Sequence, residues 1–277
     1  MGAVICLNGR FLPADHARVS VLDQGFLYGY GLFETILVRE GQPVLLEEHL
    51  NRLREGCSAL GITPPLPLNE LPRLVEQTIA ENDTVNGALR LTLSAGTAPG
   101  EVPGNLIIST RPLPYGPRDY RQGFRAGWSS LKRNEHSPLV RLKTLNHLEN
   151  LLARREAREK GWNEALFLNT AGFVAEGTLS NIFIIKDKRV VTPSMDQGLL
   201  PGIMRRVVLE TCRRLGIEVQ ERPVCPAELT DAGECFLTNS LMVVMPLISI
   251  NGRPIGGGRP GMLTGLIEKT IRESPVF

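Results

Sequence analysis

Pro112, Pro114, Gly116 and Pro117 fall within six residues, the densest group of chain breakers in the sequence. Proline lacks the backbone N–H and fixes φ, so neither a helix interior nor a central strand can run through such a stretch. The 277-residue chain is therefore expected to fold in two parts, residues 1–116 and residues 117–277, each long enough to bury a core.

The first part reads as a sheet with two helices. Asn8-Gly9, flanked by alternating apolar residues, is a strong hairpin signal. Gly25, Gly29 and Gly31 mark an irregular loop that leads into a strand over 33–38, with a short returning strand at 43–46. Leu50, Leu53 and Cys57 recur at helical spacing over 47–60, with Arg52 off that stripe, and a second helix spans 71–81. Strands follow at 88–94 and 105–110. The pattern is α+β.

The second part is richer in strands, expected at 124–129, 165–169, 173–175, 181–185, 189–192, 218–221, 235–238 and 243–250, with helices at 203–215 and 262–273. Residues 130–142 read as an irregular approach to Lys143. Behind that lysine, Leu145, Leu148, Leu151 and Leu152 have the spacing of a buried helical stripe.

Composition narrows the partners. The formal net charge is +2 and 22% of residues are charged, which gives no basic patch signature for nucleic acid. No apolar run approaches the ~18 residues of a membrane span. The five cysteines show no C-x-x-C spacing and read as reduced thiols of a cytoplasmic protein, with no zinc or other metal site.

Four spots could carry chemistry. Lys143 stands at a helix entrance, Glu176 in a polar cluster between two strands, Gly202 before a helix whose first N–H groups lack internal partners, and Thr238-Asn239-Ser240 at a strand end. Singly, these are a solvated lysine, a turn acid, a strand-to-helix turn and a polar cap. In that order they supply an amine, a carboxylate and an anion cradle, the parts that pyridoxal phosphate chemistry asks for.

The segments Lys143-Thr144-Leu145-Asn146, Glu176-Gly177-Thr178-Leu179-Ser180-Asn181, Leu200-Pro201-Gly202-Ile203 and Phe236-Leu237-Thr238-Asn239-Ser240 resemble the class IV aminotransferase family. Asp23-Gln24-Gly25-Phe26, Phe33-Glu34-Thr35 and His49-Leu50-Asn51-Arg52-Leu53 match the same family. The resemblance spans nearly the whole chain. It implies fold type IV of the pyridoxal 5'-phosphate enzymes: a small N-terminal α/β domain and a larger β-barrel-like C-terminal domain with helices. It further implies a homodimer acting on a small-molecule amine, with neither nucleic acid nor membrane as a partner.

Carried over by position, Lys143 would hold the cofactor and shuttle the proton, and Glu176 would keep the ring nitrogen protonated. Arg52 would reach the phosphate, with the backbone N–H groups of Ile203 and Met204 and the residues Thr238 and Asn239 completing its cradle. Where many relatives have a threonine, Met204 leaves only the backbone donor. His147 stands where some relatives have a tyrosine near the ring hydroxyl, and its role stays open. Arg90, Arg111 and Arg141 are equal candidates for a substrate carboxylate.

Three activities occur in the family. Asn239-Ser240-Leu241-Met242 with Val244-Met245-Pro246 is similar to the 4-amino-4-deoxychorismate lyases, as is Phe33-Glu34-Thr35. Residues 95–100 lack the Arg-x-His pair typical of D-amino acid aminotransferases. Tyr30 departs from the aspartate often found between the two glycines of its loop. The resemblance thus implies a lyase that forms 4-aminobenzoate and pyruvate in folate biosynthesis, with a branched-chain or D-amino acid aminotransferase using 2-oxoglutarate as the alternative.

Overall fold

The computed structural model describes residues 3–100, 102–275 and 277. It divides into two compact units, described in turn. The first comprises the described residues of Met1–Pro114, Leu142–His147 and Val276–Phe277, and the second Tyr115–Arg141 and Leu148–Pro275.

In the first unit, β1 (Val4–Leu7) and β2 (Arg10–Pro13) form the hairpin about Asn8-Gly9, and α1 (Gln24–Tyr28) precedes β3 (Gly31–Arg39). After β4 (Gln42–Pro43) come α2 (Leu46–Leu60), α3 (Leu71–Glu81), β5 (Gly87–Ser94) and β6 (Leu106–Arg111). The described strands make one antiparallel sheet in the order β2-β1-β6-β5-β3-β4. Leu50, Leu53 and Cys57 of α2 and Leu71, Leu74, Val75 and Ile79 of α3 bury their stripes with Ile36, Leu89, Leu91 and Ile108 of the sheet. One such leucine removed from water contributes about 1.5–3 kcal/mol.

Two local expectations give way here. The glycine loop contains α1, because the Asp23 carboxylate accepts from the Gly25 N–H and left-handed Gly29 closes the other end. The strand expected at 43–46 stops at Pro43, since Leu45 turns left-handed and Leu46 opens α2.

In the second unit, α4 (Pro117–Gln122) starts on the last proline of the breaker cluster, where a missing N–H costs nothing. Next come β7 (Phe124–Arg133), α5 (Leu148–Glu159), β8 (Glu164–Asn169), β9 (Val174–Gly177), β10 (Asn181–Lys186) and β11 (Arg189–Thr192). The unit closes with α6 (Ile203–Arg214), β12 (Val219–Glu221), α7 (Pro226–Thr230), β13 (Glu234–Thr238), β14 (Met245–Ile250), β15 (Arg253–Pro254) and α8 (Met262–Arg272). The described strands run β12-β11-β10-β13-β14-β7-β8-β9, with β15 beside β14. A flat sheet would hold β9 and β10 about 24 Å apart, five strand spacings. Residues 178–180 join them directly, a link that spans at most ~14 Å. The sheet therefore curls back on itself.

The leucine stripe behind Lys143 is a correction. Helix α5 begins only at Leu148, which is 67% exposed, and Leu151 is 57% exposed. The helix instead buries Asn150, Ala153 and Ala157, whose small side chains let it lie close to Ala165, Phe167 and Ala175. The irregular stretch expected from residue 130 is also shorter, because β7 continues to Arg133 in parallel register with Asn169.

Among the described residues no helix is long and apolar enough to cross a membrane. Leu53 is 1% exposed. Leu53→Ala is expected to lower the stability of the first unit by about 2–5 kcal/mol, read as an earlier urea transition.

Candidate active site

In the first unit, strand β3 organises two chemically different faces, because successive side chains point to opposite sides. Phe33 and Thr35 share one face with Arg90 and Thr92 of β5, in the register Thr35↔Arg90 and Phe33↔Thr92. The Arg90 guanidinium lies diagonally over the Phe33 ring, 4.1 Å from its centroid, and its Nε donates to the Thr92 hydroxyl at 3.1 Å. Burial, together with the charge of Arg111, lowers the Arg90 pKa.

Lys143 joins this face through the backbone. Its carbonyl accepts from the Phe33 N–H at 2.9 Å, the Leu145 N–H donates to the Gly31 carbonyl at 2.9 Å, and Leu32 and Thr144 form an antiparallel bridge. The lysine segment thus lies along β3 as a short extra edge. Gly31 permits the crossing, since a Cβ there would come within 2.5 Å of the Leu93 carbonyl oxygen and 2.6 Å of a Leu145 methyl. The Lys143 Nζ stands 4.4 Å from the Phe33 centroid, and the His147 ring meets Phe33 edge-on at 5.4 Å.

The other face of β3 is the core row Leu32, Glu34, Ile36 and Val38, an apolar row interrupted by a carboxylate that is 1% exposed. Helix α2 meets it with His49 and Arg52, three residues apart on one helix face. The Arg52 Nε and Nη2 donate to the two Glu34 oxygens at 2.8 and 2.7 Å, and His49 Nδ1 is 2.6 Å from the second oxygen. Burial alone would raise the Glu34 pKa. The Arg52 charge and the hydrogen bonds from Arg52 and His49 outweigh it and hold the carboxyl at about 2. Burial, with help from the charges of Arg52 and Lys143, pushes His49 below its ordinary value. A neutral His49 that donates through Nδ1 satisfies these partners.

In the second unit, the Glu176 carboxylate accepts from the Arg133 Nη2 at 3.2 Å and from the Leu200 N–H at 3.0 Å. Arg133 is buried over the Phe167 ring, 4.2 Å from its centroid. The turn after Glu176 is fixed by a second buried carboxylate, Glu164, which accepts from the N–H and hydroxyl of Thr178 and from the Ser180 hydroxyl. Asn181 Nδ2 donates to the Leu200 carbonyl at 3.0 Å, which ties this turn to the approach of α6.

Helix α6 starts at Gly202 with no side-chain cap, so the Ile203 and Met204 N–H groups open the helix bare while both side chains are buried. The Thr238 and Asn239 side chains are engaged by the protein itself, mostly inside their own turn. The Thr238 hydroxyl donates to the Val243 carbonyl, Asn239 Oδ1 accepts from the Leu241 and Met242 N–H groups, and Asn239 Nδ2 donates to the Leu179 carbonyl.

The sequence-derived residues thus fall into two groups, Arg52 and Lys143 in the first unit and Glu176, Ile203, Met204, Thr238 and Asn239 in the second. The structure adds four side chains that sequence reading passed over as partners. Glu34 was visible as an acid in the core row of an otherwise apolar alternation, and His49 as a polar residue one helical turn from Arg52. Phe33 had no signal beyond its motif. Arg133 was hidden in the segment expected to be irregular.

The chain matches the amino-transferase class IV family model over residues 31–250. It is 35% identical over 276 residues to a putative branched-chain-amino-acid aminotransferase of Methanocaldococcus jannaschii, covering 97% of this chain and 95% of the relative. The crystal structure of 4-amino-4-deoxychorismate lyase from Pseudomonas aeruginosa aligns with a TM-score of 0.86 at 35% identity, over 99% of this chain and all of that one. The T.th. branched-chain amino acid aminotransferase with pyridoxamine 5'-phosphate aligns with a TM-score of 0.92 at 28% identity, over 99% of this chain and 94% of that one.

The Glu34 carboxyl has a pH signature. Its folded pKa of about 2 lies below the ordinary 4.5, so its contribution to stability is fully present above about pH 4.5 and is lost as pH falls through about 2. Glu34→Gln, which removes this carboxylate from beside the part-buried Arg52, is expected to cost about 3 kcal/mol at pH 7. The gap to wild type in thermal melts of the cofactor-free protein should narrow steadily below pH 4.5.

Proposed function

We infer, from the class IV aminotransferase family to which this chain belongs, that it is a pyridoxal-phosphate-dependent lyase acting on 4-amino-4-deoxychorismate. The observation that carries the lyase reading is the end-to-end alignment with the Pseudomonas aeruginosa lyase, 99% and 100% of the two chains at 35% identity. The Asn239–Met242 turn, whose resemblance to the lyases is local and specific, supports it.

The donor set fits the cofactor. In the second unit a Cβ at Gly202 would come within 2.0 Å of Asn181 Oδ1, so glycine lets the Asn181 side chain lie against the start of α6, and the uncapped N–H groups of Ile203 and Met204 suit a phosphate. The cradle roles of Thr238 and Asn239 would fall to their backbone, since their side chains are engaged by the turn and by the Leu179 carbonyl. Glu176, fixed by Arg133 and Leu200, would hold a proton on the ring nitrogen. In the first unit Lys143 supplies the amine and Arg52 a guanidinium for the phosphate. When bound, the cofactor supplies an electron sink for the amine-bearing carbon.

The chain's own residues do the rest. Lys143 Nζ takes the proton from the amine-bearing carbon of the substrate. The C–O bond to the enolpyruvyl group then breaks, the ring becomes aromatic, and the departing enolpyruvate takes up a proton to become pyruvate. Of the three candidate arginines, Arg90 is the one fixed over the Phe33 ring, which the Lys143 amine also meets, whereas Arg111 and Arg141 are exposed. Arg90 is therefore assigned a substrate carboxylate. A homodimer belongs to the same reading, since Val21, Leu22, Phe26 and Tyr28 in the first unit and Leu148 and Leu151 in the second leave large apolar side chains uncovered.

The M. jannaschii relative, at the same 35% identity, keeps aminotransferase activity as the second reading. Purified enzyme given 4-amino-4-deoxychorismate, and in parallel a panel of amino acids with 2-oxoglutarate, is expected to form 4-aminobenzoate faster than glutamate. The opposite order would overturn the lyase assignment, and Lys143→Ala should abolish both reactions. Arg90→Met is expected to raise KM about ten- to hundredfold, the worth of one charge-assisted hydrogen bond, with a smaller effect on kcat.

A further inference from the structure

An arginine that binds a phosphate must be both charged and aimed. Its flexible side chain loses conformational freedom when it takes one geometry, and that loss is smaller when the protein has already fixed it. In the first unit Arg52 is fixed on the protein side. Its Nε and Nη2 form a fork-to-fork pair with Glu34 at 2.8 and 2.7 Å, so this edge of the guanidinium is committed to the protein.

Glu34 is itself fixed. It projects from the middle of β3 into an apolar row, is 1% exposed, and its second oxygen also meets His49 Nδ1 at 2.6 Å. His49 is equally buried, so its ring holds the carboxylate from within the core. A carboxylate in a core row is costly unless its partners are worth more than the apolar contacts it displaces. Leucine or isoleucine would fill this row as its neighbours do. The position instead spends core volume on orienting one guanidinium.

We propose that Glu34 and His49 are positioning residues that hold Arg52 in the orientation used for the cofactor's phosphate, and so set the preference of the apoenzyme for phosphorylated over unphosphorylated pyridoxal. The proposal rests on the reading that Arg52 meets that phosphate. Charge alone makes the contrary forecast. Removing a carboxylate beside a phosphate-binding arginine raises the local positive charge, and on that ground Glu34→Gln would tighten phosphate binding. Positioning makes the same substitution loosen it.

The test measures the dissociation constants of pyridoxal 5'-phosphate and of pyridoxal, separately, for cofactor-free wild type, Glu34→Gln, Glu34→Asp and Arg52→Met. Binding is followed by the absorption change, and thermal melting of each apoprotein reports folding. Glu34→Gln is expected to weaken pyridoxal 5'-phosphate about ten- to thirtyfold, the order of freeing one arginine side chain, with pyridoxal changed less than about twofold. Glu34→Asp keeps the charge and shortens the reach, and should lose several-fold in the same ratio. Should either glutamate variant fail to fold, His49→Gln supplies the same ratio, expected to fall about threefold.

A ratio that is unchanged or raised in the glutamate variants, while Arg52→Met collapses it, would overturn the positioning role and leave the phosphate role of Arg52 standing. A ratio that Arg52→Met leaves intact would overturn the phosphate role itself, and the positioning role with it.

Discussion

The placement of Lys143 depends on a backbone event. Two hydrogen bonds, which together make one β-bridge, hold residues 143–145 along strand β3, and the close approach is possible because position 31 has no side chain. A lysine carried on a free loop would sample many positions. One carried on a strand edge inherits the order of the sheet, and its amine is further restrained over the Phe33 ring. Strand β3 in turn is central enough to be reliable, paired along its length with β5 and backed by α2.

The same strand solves two electrostatic problems by alternation. On the Glu34 face the charges balance, one carboxylate against one guanidinium with a histidine kept neutral by burial. The second unit repeats the device. Glu164 and Glu176 are buried acids, one satisfied by the N–H and hydroxyl groups of a turn and the other by an arginine and a backbone N–H. In each case a carboxylate inside the fold is tolerated because several donors converge on it, and each fixes the geometry of groups around it.

Most of the regular structure was legible in the sequence because its apolar periodicity is strong. The helix over 71–81 coincides with the observed one, and that over 203–215 runs one residue long. Helices α1, α4 and α7, of five or six residues, are too short to show a period and are set by caps and prolines instead. The leucines of α5 misled because spacing says which residues share a face, not which face is covered. Alanines on the neighbouring face pack closer to the sheet and take the core. For the candidate site, sequence motifs singled out Lys143, Arg52 and Glu176, but nothing in the residues themselves tied Arg52 to Glu34 or Glu176 to Arg133. Those pairings lie 18 and 43 residues apart and depend on register and strand length.

The Phe33 face carries the argument about substrate furthest. Arg90 is half-buried there, its charge met on the protein side by an aromatic ring and a hydroxyl, and burial with the neighbouring Arg111 already weighs against it. A cation held in so modest a setting is stabilised by any anion that arrives, whereas Arg52, paired with Glu34, gains less from a second one. The two arginines therefore differ in their surroundings. The paired one suits a permanent ligand whose position must not vary. The setting of Arg90, with no carboxylate paired to it among the described residues, would suit a ligand that comes and goes, as the proposed substrate role requires.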